Sequence, residues 1–340
     1  MKHHFINIIN NTLNDSKIGE QLINIEQVKD FSYMVLSNTD KISKDKYDSF
    51  VDINESINCV RDFFYHVDEN LGRMYENILQ EKNKYNGVET TSVKFFHLPK
   101  NFSDFNRSGL RKDGSVIIDY SEILYDMYVI AHEMTHKFSF QKEHNSKIST
   151  LLGEVPSITM ELFLEDYLLK NTSYNKKEIL INRNNELVEL YNNSLKYMYE
   201  YIILDINDRK GYISRDLIED YIKGNYSDIS DKLLSEEKEI LNYLKQDNKL
   251  RFYKRQKYIL GMLLAINLKE EFNNNYKDLL KLINILGNTD INIKRDIDEI
   301  DIIDLISIKN QVYINNSYEY MNRIENNYKK FKDKTMILKR

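Results

Sequence analysis

Proline and glycine are both scarce in this chain, which has two prolines (Pro99 and Pro156) and ten glycines among its 340 residues. Sheet-rich folds need many tight turns, and tight turns draw on these two residue types. The scarcity therefore predicts a mainly α-helical protein. Because 41% of the residues are hydrophobic, the chain can bury a substantial core as one large domain or as two modest ones.

Three further absences narrow the class of protein. Cys59 is the only cysteine, so no disulfide can form within the chain, which fits a reducing cytosol. There is no run of about 20 apolar residues to span a membrane, and the N-terminus lacks the apolar run of a secretory signal. The net charge is −5 and no basic stripe precedes the tail at 329–340, which weighs against nucleic-acid binding. We therefore expect a cytoplasmic protein.

The order of segments predicts helices on both sides of a short β-rich stretch. Apolar residues recur at helical spacing in Phe50–Glu81. The segments TSVKFFHLPK (91–100) and SVIIDYS (115–121) are joined by a glycine-containing link, which predicts a small hairpin or pair of strands. Helical patterns return after Tyr120 and later cover 176–205, 214–224, 233–247, 250–272, 275–286, 298–312 and 315–333. We predict an N-terminal helical region (1–95) and a second helical region that contains the candidate functional residues (96–340). The two regions are expected to form one continuous globular unit.

The segment VIAHEMTHKFSF (129–140) contains the strongest motif of the chain. On a helix, His132 and His136 lie one above the other and can direct two imidazoles at one point. Glu133 follows the first histidine, where its carboxylate can reach a water on a shared metal ion. This H-E-x-x-H arrangement supplies two zinc ligands and a general base. The alternative is a chance pair of surface histidines on an ordinary helix.

A catalytic zinc ion uses three protein ligands and keeps a fourth position open. The segment GEVPSITME offers Glu154 and Glu161, which are two helical turns apart and so share a face. Glu154 follows His136 by 18 residues, enough for a loop and a reversal of direction. We assign Glu154 as the third ligand of one Zn²⁺ per chain. Glu161 is then an acceptor for an imidazole N–H or a neighbouring donor, or else a solvated carboxylate.

The run NRSGLRKDGSVIIDYSEILYDMYVIAHEMTH (106–136) resembles the active-site segment of the oligoendopeptidase F / thimet oligopeptidase family of zinc peptidases. That family has an Arg-Ser-Gly turn and a short strand before its H-E-x-x-H helix, then a Glu-x-x-Ser pattern, as in GEVPSITME. RFYKRQKYILGMLLAINLKEEF (251–272) resembles the family's tyrosine-rich helix with a Tyr-x-x-Gly step, here Tyr258 to Gly261. The resemblance covers roughly residues 95–300. It implies a helical, zincin-like fold with zinc at the floor of a cleft, Glu154 as third ligand, and cleavage of short peptides. It also makes SVIIDYS a candidate to pair with an extended substrate, or an ordinary structural strand.

The chain departs from the family pattern at several positions. Thr135 stands where the family usually has glycine, and Ser139 where a further histidine is common. The loop between His136 and Glu154 is shorter, and most of the N-terminal half that roofs the family's channel is missing. The family binds the oxyanion with a C-terminal histidine and tyrosine, but no histidine follows His144 here. The donor must therefore be a tyrosine, a lysine or an arginine, and Tyr258 is the first candidate and Tyr253 the second.

These features together predict a zinc-dependent endopeptidase or oligopeptidase that hydrolyses peptides through a zinc-activated water, with Glu133 as general base. The alternative is a catalytically inactive, peptidase-like protein that binds a peptide or a protein partner. The absent C-terminal histidine and Thr135 motivate this alternative. A purely structural zinc site is a weaker interpretation, because three nitrogen and oxygen ligands leave one position open.

Overall fold

The computed structural model describes residues 25–38, 44, 46–47, 49–85, 88–99, 107–111, 113–138, 153–247 and 252–272. These residues form nine helices and five strands. In chain order they are α1 (Ile25–Asn38), α2 (Ile53–Val67), α3 (Glu69–Gln80), β1 (Lys82–Tyr85), β2 (Val88–Thr91), β3 (Val93–His97), β4 (Gly109–Leu110), β5 (Val116–Tyr120), α4 (Tyr125–Phe138), α5 (Glu154–Asn171), α6 (Lys176–Lys210), α7 (Arg215–Asn225), α8 (Ser230–Asp247) and α9 (Phe252–Phe272). The predicted mainly α-helical fold with a small sheet next to the motif helix is confirmed.

Helices α6 to α9 match the predicted segments to within five residues at each end. The helices predicted at 275–286, 298–312 and 315–333, the tail at 329–340 and Ser139 lie outside the described residues.

The predicted helical stretch Phe50–Glu81 forms two helices, because Asp68 ends one and caps the next. Its extended backbone breaks the helical run, and its carboxylate accepts hydrogen bonds from Asn70 N at 2.8 Å and Leu71 N at 3.2 Å. Those N–H groups open α3 and have no partner within the helix. Asp52 caps α2 in the same way, through Asn54 N at 2.8 Å. Two aspartates thus set the hairpin of helices that backs the motif helix.

The strands form two small sheets. Strands β1 and β2 make an antiparallel hairpin, and a second sheet has the order β3-β5-β4, with β3 parallel and β4 antiparallel to β5. The segment SVIIDYS forms β5 and is the central strand. Its Asp119 N–H also donates to Ser108 Oγ at 2.9 Å. Among the described residues, β3 pairs with all of β5 but β4 pairs only with Val116 and Ile117, so the pairing of SVIIDYS with a substrate stays a prediction.

The motif helix α4 lies in one large buried cluster. Met127, Ile130 and Met134 are fully buried and join Phe63 and Phe64 of α2 in that cluster. At the end of α4, Lys137 donates to Gly114 O at 2.8 Å, which ties the helix to the turn before β5. The apolar face of α4 therefore packs against α2 and the sheet, and His132 and His136 lie on the other face of the helix.

The described residues divide into two compact units. One contains 25–38, 186–247 and 252–260, and the other contains the described residues between 44 and 185 together with 261–272. Each unit has its own buried apolar cluster. The predicted regions 1–95 and 96–340 stay a prediction. No helix within the described ranges is long and apolar enough to cross a membrane.

Candidate metal centre

Helix α4 brings its two histidines to one point, as their spacing predicts. The Nε2 atoms of His132 and His136 are 3.0 Å apart, and the two rings meet edge to face with centroids separated by 4.7 Å. Both side chains are about one-fifth exposed. Two imidazoles in this arrangement present two nitrogen lone pairs to one small volume, which is the geometry that a shared metal ion requires.

Glu154 completes a triad of possible ligands. It is the first residue of α5, and its Oε2 lies 3.2 Å from the Nε2 atoms of both His132 and His136. The three atoms form a nearly equilateral triangle. Tetrahedral zinc with bonds of about 2.0–2.2 Å separates its ligand atoms by about 3.3–3.5 Å. The triad can therefore hold a metal ion, and its two imidazoles and one carboxylate suit zinc.

Glu161 lies behind His132, two turns further along α5. Its Oε1 is 2.5 Å from His132 Nδ1. A carboxylate is an acceptor, so it selects the tautomer in which Nδ1 carries the proton and Nε2 keeps its lone pair for the triad. This contact also fixes the orientation of the ring. Glu161 thus occupies the place of the carboxylate that commonly orients a metal-bound histidine.

The electrostatics of the cluster favour a bound cation. Burial acts to raise the pKa of Glu154, but hydrogen bonds and charge from His132 and His136 outweigh it and hold that pKa far below its usual range. Burial acts to lower the pKa of His132, but Glu161 and Glu154 raise it well above the ordinary value. Two carboxylates facing two imidazoles therefore stabilise positive charge at this point. The N-terminus of α5 adds a further field that keeps Glu154 ionised.

Glu133 lies next to the triad and is buried, with 8% of its surface exposed. Burial raises its pKa, and the charges of His132 and His136 act on it in the opposite direction. Among the described residues, no hydrogen-bond donor or acceptor reaches its Oε2. A buried carboxylate oxygen without a partner costs free energy, so it is a strong candidate for contact with a substrate or water.

Thr135 is the departure from the family pattern that lies within the motif. It is fully buried, and its Oγ1 donates to Ala131 O at 2.7 Å along the same helix. Since its hydroxyl is satisfied inside the helix packing, the replacement of glycine by threonine is compatible with the convergence of His132, His136 and Glu154.

The predicted tyrosines lie on α9, within the first of the two units. Tyr253 is in the first turn of the helix. Tyr258 is one turn before Gly261 and is 40% exposed. Their roles stay predictions.

Two residues at the base of Glu154 were not assigned a role from the sequence. Ser157 is fully buried, and its Oγ donates to Glu154 O at 3.0 Å and lies 3.5 Å from Glu154 Oε2. Gly261 of α9 lies so close that a Cβ atom there would be 3.2 Å from Glu154 Cβ. The Glu-x-x-Ser pattern is the sequence signal for the first contact, because positions three apart meet on a helix. No local signal marks the second contact.

No protein-family model matches the chain, and no curated protein is similar enough in sequence to count as a relative. In three dimensions the chain is similar to a crystal structure described as a "putative peptidase from Chlamydophila abortus", with a TM-score of 0.51 and 18% sequence identity. The similarity covers 95% of this chain and 55% of that one, so the chain spans about half the length of its structural neighbour. At this identity the comparison shows the fold alone: the chain has the fold of part of that protein.

Proposed function

We propose that this chain is a zinc-dependent peptide hydrolase, a shortened relative of the oligoendopeptidase F / thimet oligopeptidase type. The observation that carries the proposal is the convergence of His132, His136 and Glu154 within 3.2 Å, with Glu161 bonded to the far side of His132. Glu133 beside them supplies a buried carboxylate of the kind that general bases use. The similarity of the fold to part of a protein described as a peptidase supports the same class of reaction.

The mechanism assigns one role to each group. His132, His136 and Glu154 would hold the zinc ion, which when bound supplies Lewis acidity and lowers the pKa of a coordinated water. Glu133 accepts the proton of the attacking water as the water's oxygen adds to the scissile carbonyl carbon. Glu133 then delivers that proton to the leaving amine as the C–N bond breaks. Tyr258, or failing that Tyr253, donates a hydrogen bond to the developing oxyanion.

The test is the cleavage of a quenched-fluorescent peptide library by the zinc-loaded protein. Glu133→Gln should retain one zinc ion per chain but lose about 10²–10⁴-fold in turnover, because only the proton transfer is removed. His136→Ala should lose both zinc and turnover. Glu69→Gln, which neutralises an exposed glutamate of α3, is the matched control and should behave as the wild type. Tyr258→Phe and Tyr253→Phe in the same assay identify the oxyanion donor.

An active Glu133→Gln protein would contradict the assigned base. A wild type that holds one zinc ion yet cleaves no member of the library would favour the binding-protein alternative. A wild type that binds no zinc would contradict the metal centre itself.

A further inference from the structure

Gly261 lies in the middle of α9, where glycine is unfavourable. Alanine is the better helix former, because glycine loses more backbone freedom when a helix forms. A Cβ atom at this position would lie 3.0 Å from Ile158 Cδ1, 3.2 Å from Glu154 Cβ and 3.8 Å from the carbonyl carbon of Glu154. The missing side chain therefore lets the backbone of α9 approach α5 at the residue that supplies the third ligand.

The contact is at the base of the Glu154 side chain. Glu154 and Ile158 are both buried, with 4% and 7% of their surfaces exposed, and they are one helical turn apart on α5. Glutamate has three rotatable bonds between its backbone and its carboxylate. The backbone of α9 at Gly261 lies beside the first of these bonds, and Ser157 Oγ lies 3.5 Å from the Oε2 atom at the other end. Together these contacts fix a flexible side chain at both ends.

A second contact sets the register between the two helices. Lys269 Nζ of α9 lies 2.9 Å from Asp166 Oδ1 of α5, and Lys269 is 91% buried, with 9% of its surface exposed. Gly261 lies against Glu154 at the start of α5, and Lys269, further along α9, pairs with Asp166, further along α5. The two helices therefore run in the same direction. This partly buried ion pair holds α9 at a fixed position along α5, and it keeps Gly261 opposite Glu154.

We propose that Gly261 is a positioning residue for the metal ligand Glu154, an inference that rests on the zinc site of the proposed function. A Cβ at this distance would force the neighbouring atoms to move by a few tenths of an ångström. Metal–ligand distances tolerate only about 0.2 Å. The displacement of Glu154 by any side chain at position 261 is therefore large enough to weaken the site while the rest of the helix packing persists.

The test compares the affinity for zinc of the wild type and Gly261→Ala, by competition with a chromophoric chelator. Gly261→Ala should bind zinc at least tenfold more weakly, the lower end of what is lost when the support of a metal ligand is removed. The visible spectrum of the Co²⁺-substituted protein should also change, since it reports the geometry around the metal. Gly224→Ala is the matched control, because Gly224 is also in a helix (α7) but a Cβ there meets nothing within 4 Å.

A Gly261→Ala protein with the zinc affinity and Co²⁺ spectrum of the wild type would overturn the inference, even if its thermal stability were lower. If Gly261→Ala does not fold, the double variant Gly261→Ala/Ile158→Val decides. Valine lacks the Cδ1 atom that makes the nearest contact, so Glu154 Cβ remains as the close neighbour. Weaker zinc binding by the double variant than by Ile158→Val alone supports the inference, and equal binding overturns it. A wild type that binds no zinc overturns the proposed function together with this inference.

Discussion

At the scale of single residues, the protonation of the two histidines decides whether the cluster can hold a cation. An imidazole binds a metal through a lone pair, so the proton must be on the other ring nitrogen. For His132 that proton lies toward Glu161, at 2.5 Å, which leaves Nε2 directed at Glu154 and His136. If the triad holds a metal ion, Glu161 would therefore orient His132 for it without being a ligand itself.

Replacement of Glu161 by glutamine should weaken zinc binding by about 10–100-fold. The amide oxygen accepts a weaker hydrogen bond than the carboxylate does, and the ring is then held less firmly and is less basic. The measurement is the zinc dissociation constant of the purified Glu161→Gln protein at constant pH. Glu69→Gln controls for the loss of one negative charge elsewhere. A dissociation constant equal to that of the wild type would show that Glu161 does not support His132.

The convergence of His132, His136 and Glu154 could be predicted because these residues obey local spacing rules. His132 and His136 share a helix, and Glu154 begins the next helix after a loop. The supporting contacts depend on packing between distant segments. Gly261 is more than 100 positions from Glu154, and no pattern near either residue records that they touch. Sequence reasoning therefore finds candidate ligands more readily than the distant residues that pack against them.

At the scale of elements, the N-terminus of α4 is built around a buried carboxylate. Asp126 is 2% exposed and accepts hydrogen bonds from Ser121 N at 3.1 Å and Ile123 N at 3.0 Å. These bonds hold the turn that carries the chain from β5 into the motif helix. Burial raises the pKa of Asp126 to about 6, although the backbone N–H groups act to lower it.

This raised pKa predicts a pH-dependent stability. Between about pH 4 and 6 the folded state binds more protons at Asp126 than the unfolded state does. The contribution of Asp126 to the free energy of unfolding therefore falls as the pH rises. Asp126→Asn lacks this titration. Its free energy of unfolding, relative to the wild type, should therefore increase from pH 4 to pH 6 by up to about 3 kcal/mol and then remain constant. Urea unfolding of both proteins at several pH values measures the difference.

The matched control for this experiment is Asp216→Asn, which neutralises an exposed aspartate in the first turn of α7. It reproduces the loss of one charge at a helix N-terminus without the burial. A difference between Asp126→Asn and the wild type that does not vary with pH would show that Asp126 titrates at its ordinary pKa in the folded state.

Element types were easier to predict than their pairing. The segments predicted for α6 to α9 have boundaries within five residues of those observed. The division of Phe50–Glu81 at Asp68 was missed, because an aspartate within a helical pattern looks like an ordinary surface residue until its cap geometry is seen. The parallel pairing of β3 with β5 was also missed. Strand order depends on contacts between segments, and alternation within each strand does not record it.

At the scale of the whole molecule, the candidate metal centre joins segments that are far apart in the sequence but belong to one unit. His132 and His136 come from α4, Glu154 and Glu161 from α5, and Gly261 lies against Glu154. A metal ion bound to both helices would therefore link them directly, and its binding energy would add to their stability.

Zinc should therefore protect α4 and α5 against local opening. A ligand that binds only the folded state at 100 times its dissociation constant stabilises that state by about 2.7 kcal/mol, or about 100-fold in the opening equilibrium. Amide hydrogen exchange, measured by mass spectrometry with and without zinc, should slow in peptides from Tyr125–Phe138 and Glu154–Asn171, with peptides from α7 as an internal reference. His136→Ala keeps both helices but removes one ligand, and it should lose the zinc-dependent protection. Equal exchange in the two helices with and without saturating zinc would mean that the ion does not connect α4 to α5, and the triad would then not be the metal site.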